Sequence, residues 1–494
     1  MSSKKAFLLL LAILSFQIIQ AQNEVDALRY SQMVFSGTAR YNSLSGAFGA
    51  LGGDLSVTSV NPAGIGVYRS SEFSFTPTIF TSNTTSDYYG RTSEDGKINF
   101  NFSNVGAVFT DLKNGKDDYS QWNSTQFAFT YNRHNNFNNR IIISGINPSS
   151  SLLDHYAGQI NGTNPSDVYD TSPFGAGLAW DTYLLNSKDS IDTTTYITLL
   201  NSGGAEQEKH IVQTGGSSEL NITFSGNYNN KLYIGGTLGF PYINYSEEST
   251  YSETDVNDTI PNFQSFSLIE NLHTSGSGFN FKFGMILRAT DWLRLGGAIH
   301  TPTFYKLSDE YSAIIISTFD SVPPESPSTA LSYTSYSPNG AYDYRLYTPW
   351  RIIGSLALIV GKKGLISGDL ELIDYSSARL RSTYYGYAPQ NASIDQKYTH
   401  ATNLRIGTEW RFMPFSIRGG YAVYGSPYKN GINDGLRASY SVGFGIREKN
   451  FFLDLAYTYS KSTEDYYLYS GELAEPAVNT AENHKFQSTL GFKF

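Results

Sequence analysis

Apolar and polar residues alternate along most of the chain with a period of two, the pattern of a strand with one apolar and one polar face. In the segment 279–287, for example, Phe279, Phe281 and Phe283 alternate with Asn280 and Lys282. Such segments run for about ten residues each, and no helical periodicity of comparable length competes with them. The pattern predicts an all-β protein.

The connections between these segments predict a closed barrel in a membrane. Very short turns near Thr290, Met413 and Glu448 alternate with long polar segments. In outer-membrane barrels the short turns are periplasmic and the long loops extracellular. The segments expected on the extracellular side are 148–206, 246–274, 306–342, 376–398, 425–435 and 461–483. We therefore expect a transmembrane antiparallel β-barrel.

Counting the strands gives one segment too many. The candidates are 72–80, 98–110, 124–133, 139–147, 219–229, 231–245, 275–289, 293–305, 343–360, 364–375, 399–412, 414–424, 436–448, 451–461 and the C-terminal segment. They make about fifteen, whereas single-chain bacterial barrels have an even number of strands. We expect about fourteen, with the error in the region 148–206.

The chain ends on an amphipathic segment. Phe486, Leu490 and Phe492 alternate with small or polar residues, and Phe494 is the last residue. An aromatic residue at the end of the last strand resembles the signal for membrane insertion in outer-membrane barrels. It implies that barrel-insertion machinery acts on the chain during assembly.

The first residues predict export. Lys4 and Lys5 precede an apolar run from Ala6 to Ile19, and the small residue Ala21 follows. This is the arrangement of a secretory signal peptide, residues 1–21, with cleavage after Ala21. The run of about fourteen apolar residues is too short to cross a membrane as a helix. Export and the strand pattern together predict the outer membrane, with its lipid around the barrel.

Composition agrees with a surface that faces lipid. Charged residues make up 16% of the chain and aromatic residues 15%, whereas soluble proteins carry more charge on their surface. The formal net charge is −9. Nucleic acid requires a basic face to match its phosphates, so this balance argues against binding it.

No catalytic or metal centre is recognisable. The chain has no cysteine, which excludes disulfides, thiol nucleophiles and thiolate metal sites. Its seven histidines show no metal-ligand spacing, and no Gly-x-Ser-x-Gly elbow is present. We expect no enzyme activity, no metal and no cofactor.

Residues 22–70 do not alternate like the rest, and we interpret them as an N-terminal hatch, or plug, before a barrel of residues 71–494. Their glycines allow close backbone approach and positive φ, and Pro62 fixes φ in a turn. A nucleotide-binding loop would need a preceding strand and a following helix, which are missing; a periplasmic linker stays as an alternative. The candidate hatch residues are Gly46, Gly49, Gly52, Gly53, Asp54, Asn61, Pro62, Ala63 and Gly64.

The run 53–56 (Gly-Asp-Leu-Ser), followed by 61–64 (Asn-Pro-Ala-Gly) and the first strand, resembles the N-terminal signature of the long-chain fatty-acid outer-membrane transporter family of the FadL/TodX type. The sequence departs from that signature at Leu55, where the family usually has Ala, and at Val60, where it often has an aromatic residue. The resemblance implies a monomeric barrel of fourteen strands, plugged by the hatch. It also implies a ligand that enters from the extracellular side and leaves through a lateral gap when the hatch shifts.

The expected function is transport of hydrophobic, fatty-acid-like molecules. Two alternatives stay open. One is a non-transporting barrel that serves a secretion or surface-attachment system. The other is a haemin receptor, although haem usually requires an axial ligand and no histidine is placed convincingly for it.

Overall fold

The computed structural model describes residues 23–34, 36–113, 121–200, 203–361, 363–383, 385–471 and 473–494. The predicted signal peptide lies outside the described residues. Most of the described chain is β-strand. The strands in chain order are β1 (Glu72–Tyr88), β2 (Arg91–Leu112), β3 (Trp122–Asn136), β4 (Asn139–Ile146), β5 (Leu185–Ser187), β6 (Tyr196–Thr198), β7 (Glu206–Tyr228), β8 (Leu232–Thr254), β9 (Ser265–Arg288), β10 (Leu293–His300), β11 (Phe304–Thr318), β12 (Ser332–Tyr336), β13 (Gly340–Tyr347), β14 (Arg351–Val360), β15 (Gly364–Asp374), β16 (Arg379–Arg381), β17 (His400–Phe412), β18 (Phe415–Tyr424), β19 (Arg437–Arg447), β20 (Phe451–Tyr466) and β21 (Ala477–Lys493).

Helices are short and lie outside the wall. They are α1 (Glu24–Ser31), α2 (Ala39–Ser43), α3 (Leu152–Ile160), α4 (Val168–Thr171), α5 (Ala176–Asp181) and α6 (Ala388–Lys397), with 3₁₀ turns at Leu55–Ser59, Pro62–Val67, Pro165–Asp167 and Tyr375–Ser377. Within the described residues, no helix has the length and apolar character needed to cross a membrane.

The strands close into an antiparallel barrel of 14 wall strands. Four of these wall strands are interrupted, and each consists of two consecutive strands along the same neighbouring wall strand: β3 and β4, β10 and β11, β13 and β14, and β15 and β16. The last strand, β21, pairs with β1 from Glu72↔Lys493 to Asp87↔Val478 and so closes the wall. The predicted fold class and strand number are confirmed.

The surplus segment in the sequence-based count is not in 148–206, where we expected it. Segments 124–133 and 139–147 belong to one wall strand, because β3 and β4 both pair with β7. The register between β3 and β7 shifts between Arg133 and Asn135, so His134 is an extra residue in β3. Such a bulge bends a strand and interrupts its alternation, and the sequence therefore reads as two strands.

Several segments predicted as extracellular loops are mostly strand. β8 and β9 have 23 and 24 residues, and both continue far into the segment 246–274. In this upper part the inward residues Tyr251 and Glu253 are buried and the outward residue Thr250 is polar and exposed. With polar residues on both faces the period-two signal disappears, although the strand continues.

The outer face of the lower barrel is apolar and the inner face is polar. On β9 the outward residues Phe283 and Met285 are 44% and 46% exposed, whereas the inward residue Lys282 is buried. An apolar exterior with a polar interior is the inverse of a soluble barrel and is typical of one surrounded by lipid. The chain is therefore a membrane-spanning barrel of the outer-membrane type.

The segment 147–200 folds into a small cap over the extracellular end, built on α3, α4, α5 and the hairpin β5–β6. Helix α3 begins at a capping box formed by Ser151 and Asp154, which satisfies free backbone N–H groups at the start of the helix. Leu153 and Leu178 pack with Ile315 of β11 in one apolar cluster. The cap thus has its own core on the upper wall.

Residues 23–34 and 36–70 lie inside the barrel, and we refer to them as the plug. Hydrogen bonds link Ala39 N–H to Thr489 Oγ1 of β21 (2.7 Å) and join the hydroxyls of Thr58 and Thr130 of β3 (2.7 Å). Further round the wall, the Ser45 and Ser441 hydroxyls are 2.7 Å apart. Contacts with strands on several sides show that the plug fills the lumen, as the sequence predicted.

Candidate functional site

The glycine-rich part of the plug fits against the wall where side chains would not. The N–H groups of Phe48 and Gly49 donate to the Asp369 carboxylate of β15 at 3.0–3.2 Å. A Cβ on Gly49 would lie 2.0 Å from Ser355 Oγ. Gly46 has φ +81°, a conformation that favours glycine. These glycines therefore allow the backbone itself to contact the wall.

Gly52, Gly53 and Gly64 come together in the plug. Gly53 N–H donates to Gly64 O at 2.9 Å, and a Cβ on Gly52 would lie 2.7 Å from that same oxygen. Both Gly52 and Gly53 have φ near +66°. This close packing needs residues without side chains, which accounts for three of the predicted positions.

The Asn-Pro-Ala element joins the plug to the wall. Asn61 begins a 3₁₀ turn that has Pro62 in its first positions, and its side chain accepts from Ala63 N–H at 3.2 Å. Its amide donates to Gly49 O (2.6 Å) and to Met285 O of β9 (3.2 Å). One side chain thus connects two plug segments and a wall strand.

The Asp54 side chain connects two segments of the plug by hydrogen bonds. Its carboxylate accepts from Ser56 N–H (2.9 Å) and from Thr38 Oγ1 (2.7 Å), as an N-capping residue does. The predicted hatch residues from Gly46 to Gly64 are therefore brought into one structural unit. Phe494 lies apart from them, at the periplasmic end of β21, where its N–H donates to Ser71 O at 3.0 Å.

The sequence did not reveal that α1 reaches the upper lumen. Asn23 caps this helix through Val25 and Asp26 N–H, and Tyr398 Oη, just after α6, donates to Glu24 O at 3.0 Å. Lys397 forms an ion pair with Glu24. Burial raises the pKa of Asp26 above its ordinary value, while the neighbouring Arg29 opposes that rise. The plug therefore extends from the periplasmic end to the extracellular loops.

Buried ion pairs line the lumen. Lys282 Nζ lies 2.6 Å from Glu219, and Arg351 lies 3.0 Å from Glu371. Plug residue Arg40 lies 2.8 Å from Glu409 of β17. Burial opposes the charge on Arg40, but the Glu409 carboxylate outweighs it and raises the pKa of Arg40.

Breaking one partner of such a buried pair costs about 3–5 kcal/mol, because it leaves a buried charge uncompensated. These residues consequently fix the plug and the inner wall in place. The sequence analysis missed the acidic partners, Glu219, Glu371 and Glu409. The signal was available, since each occupies the polar side of an alternating strand, but alternation does not say which inward residues meet.

Above the plug lies a cavity of about 800 Å³. Its lining includes Leu28 of the plug and Tyr424 of β18, together with the cations Arg437 and Lys485. It also includes residues 135–139 at the junction of β3 and β4. The cavity therefore extends from the plug to the interrupted wall strand.

At this junction the wall is not continuous. β2 pairs with β3 only from Leu112↔Ser124 to Asn104↔Asn132, and its upper part pairs with β1 alone. Asn139 of β4 accepts hydrogen bonds from Ser82 and Thr84 on the buried face of β1. β4 thus lies on the lumen side of the β1–β2 hairpin, which leaves a gap in the backbone ladder between β2 and the third wall strand. Side chains bridge this gap, since Asn136 donates to Asn99 of β2 at 3.2 Å and Arg91 of β2 donates to Ser144 of β4 at 2.8 Å.

A second irregularity lies beside the gap. The β1–β2 register shifts between Thr76 and Pro77, which leaves Ser103 as an extra residue in β2. Pro77 has no N–H to donate to a neighbour. On the outer surface here, Pro77, Phe100 and Phe486 contribute to an apolar groove of about 650 Å³. This apolar surface on the lipid side lies over β1 and β19 to β21, and it reaches β2 at Phe100.

Comparison with known proteins finds a similarity in fold. No family model and no curated protein matches the chain. Solved structures do match. A Pseudomonas aeruginosa FadL homologue aligns with a TM-score of 0.56 and 13% identity, over 93% of this chain and 98% of that chain. The toluene transporter TodX from P. putida aligns with a TM-score of 0.52 and 11% identity, over 92% and 98%.

The chain has the FadL-type fold. The resemblance inferred from the sequence is thereby confirmed for the fold. In this FadL-type barrel, the plug, the lumen cavity and the gap beside β2 are adjacent, and they form the candidate functional site.

Proposed function

We propose that the protein is an outer-membrane channel for hydrophobic, fatty-acid-like small molecules, and that the plug gates it. The observation that carries this proposal is the gap beside β2, which lies where the lumen cavity meets the wall. A cargo in the cavity would then have a sideways route into the membrane. We expect the barrel to act as a monomer after assembly by the insertion machinery.

A lateral route suits an apolar cargo for a physical reason. The plug obstructs the direct path to the periplasm, since its central residues Tyr41, Phe48 and Leu55 are fully buried. A straight path would also place apolar surface in water, which is unfavourable. Exit between β2 and the third wall strand would transfer the cargo from the lumen to lipid directly.

One part of the cavity lining suits a cargo with an apolar body and an anionic head, while the lining as a whole also carries the carboxylates Glu24, Asp26, Glu247, Glu270, Glu464 and Asp465. Leu28 and the aromatic ring of Tyr424 offer apolar contact. Arg437 and Lys485 line the same cavity, and neither is in an ion pair within the described chain. A carboxylate would satisfy these cations, and a fatty acid carries both features.

Cross-linking the plug to the wall tests the gate. The Ser45 and Ser441 hydroxyls are 2.7 Å apart, so cysteines at both positions come within reach of a disulfide. The natural chain has no cysteine to interfere. We expect the oxidised S45C/S441C barrel to lose uptake of labelled fatty acid in cells, and the reduced form to recover it.

A matched control separates gating from the effect of any disulfide. Thr223 and Thr237 face each other in β7 and β8 with hydroxyls 2.7 Å apart, and both belong to the wall. Oxidised T223C/T237C should transport as the natural protein does. Undiminished uptake by oxidised S45C/S441C would contradict gating by the plug.

Haemin binding has less support from the geometry. The two histidines buried nearest the plug are both engaged: His134 Nε2 lies 3.5 Å from Glu219, and His300 Nε2 donates to Val60 O at 2.8 Å. Neither is presented as an axial ligand. Titration of the purified barrel with haemin and with fatty acid distinguishes the two ligand classes, and we expect saturable binding of fatty acid.

A further inference from the structure

A separate cavity of about 310 Å³ lies at the periplasmic end, between the plug and the wall. The ionisable residues in its described lining are all arginines: Arg40, Arg294, Arg411 and Arg447. Among the residues that the structure describes, no carboxylate lines it. A small cavity lined by four guanidinium groups is electrostatically suited to an anion.

The two sides of this arginine pocket come from different parts of the fold. Arg294 follows the turn between β9 and β10, while Arg411 and Arg447 lie at the periplasmic ends of β17 and β19. Arg40 comes from α2 of the plug and donates to Gly53 O at 3.0 Å. A ligand in the pocket would therefore contact plug and wall together.

The nearby carboxylates do not balance the arginines. Glu409 forms ion pairs with Arg40, Arg411 and Arg418, and Asp454 forms them with Arg418 and Arg447. Four guanidinium groups thus share two carboxylates. Two further carboxylates lie nearby and accept hydrogen bonds from neutral hydroxyls: Asp54 from Thr38, and Glu72 from Tyr68 at 3.1 Å. They offset part of the positive charge, but neither lines the pocket.

Arg294 is the least compensated of the set. It forms no ion pair within the described residues, and Leu51 O accepts from its Nη1 at 2.9 Å. Its buried Nε has no hydrogen-bond partner in the described part of the chain. A buried donor without a partner is costly, and an oxyanion in the pocket would relieve that cost.

We propose that the arginine pocket binds a phosphate-class oxyanion that enters from the periplasm and ties the plug to the wall. The planar guanidinium fork matches the oxygens of phosphate, and several forks together select it over chloride. The pocket has room for a phosphate with a small organic group attached. This inference concerns a site distinct from the lumen cavity and does not depend on what the barrel transports.

Binding to the full-length barrel in an uncharged detergent tests the proposal. Inorganic phosphate is titrated at constant ionic strength against a chloride reference, and heat of binding and unfolding temperature are measured. We expect saturable phosphate binding that raises the unfolding temperature. R294Q/R411Q should weaken that binding by about tenfold or more, because charge-assisted hydrogen bonds are lost.

Two further variants keep the test informative. R294K retains the positive charge but loses the planar guanidinium fork, so it should bind phosphate with an affinity between those of the natural protein and R294Q/R411Q. It provides the test if the double variant does not fold. R379Q is the matched control, since Arg379 pairs with Asp395 near the extracellular loops, away from the pocket. It should bind phosphate like the natural protein.

A second arm identifies the source of the phosphate. The barrel is placed in nanodiscs of phosphatidylcholine with or without phosphatidylglycerol, and retained lipid is measured by native mass spectrometry. Retention of phosphatidylglycerol that is lost in R294Q/R411Q, without binding of free phosphate, assigns the site to a lipid headgroup. If neither probe depends on Arg294 and Arg411, the proposal is wrong.

Discussion

Two junctions between neighbouring wall strands, which we call seams, differ in how completely their strands pair. β20 and β21 pair without interruption from Phe451↔Phe492 to Tyr466↔Ala477. β2 and β3 pair over nine residues and then separate above Asn104↔Asn132. Both seams join strands with similar alternation in the sequence. Alternation therefore selects the face that meets lipid, but it does not decide whether neighbouring strands stay together.

The difference lies in register. β3 and β4 keep β7 as their neighbour on one side, while the extra residue His134 bends the strand away from β2 on the other. Gly215 of β7, opposite this bend, has φ +104°. A bulge with a glycine opposite it produces a local kink. Two inserted residues, Ser103 in β2 and His134 in β3, thus lie where the open seam begins, whereas the closed seam has none.

Deletion of His134 tests this comparison with the largest expected effect. Without the extra residue, β3 can continue in regular register along β7 and pair with β2 further up. We expect the gap to close and fatty-acid uptake to fall to the level of cells that lack the protein. Heat-dependent migration on gels would show that the barrel still folds.

The matched control is H134A, which removes the imidazole but keeps the residue count. It should retain much of its uptake, although His134 contacts Ser59 and Glu219. Equal loss of uptake in both variants would assign the effect to the side chain and contradict the role of the bulge. If the variant that lacks His134 took up fatty acid as fast as the natural protein, the gap would be excluded as the exit.

The sequence predicted the features that depend on which face of a strand a residue occupies, and it missed those that depend on which residues contact each other. The apolar exterior, the strand number and the plug follow from alternation and from the glycines at 46–64, and the structure confirms them. The bulge at His134 was invisible, because an extra residue looks like a turn between two strands. Glu219 and Lys282 lie on the polar faces of different strands, and only the register brings them together.

Substitution of Gly215 should produce a smaller effect at the same kink. A Cβ there would lie 2.1 Å from Asn244 O, in a backbone conformation that disfavours side chains. We expect G215A to destabilise the folded barrel by about 1–3 kcal/mol, measured as a lower unfolding temperature. A Cβ on Gly297 would meet no described atom within 4 Å, so G297A should change stability by less than about 1 kcal/mol. Equal changes in both variants would argue against strain at the kink.

A disulfide that holds the kinked strand in its observed position should have the smallest effect on uptake. Ser82 Oγ is 3.0 Å from Asn139 Oδ1, so a disulfide in S82C/N139C would hold β4 against the inner face of β1. T463C/T480C serves as the reference, since these residues face each other in the closed β20–β21 seam. If the inward position of β4 is the open state, oxidation should leave uptake unchanged in both variants. Loss of uptake in S82C/N139C alone would mean that β4 must move during transport, and the kink would then be a moving part of the gate rather than a fixed opening.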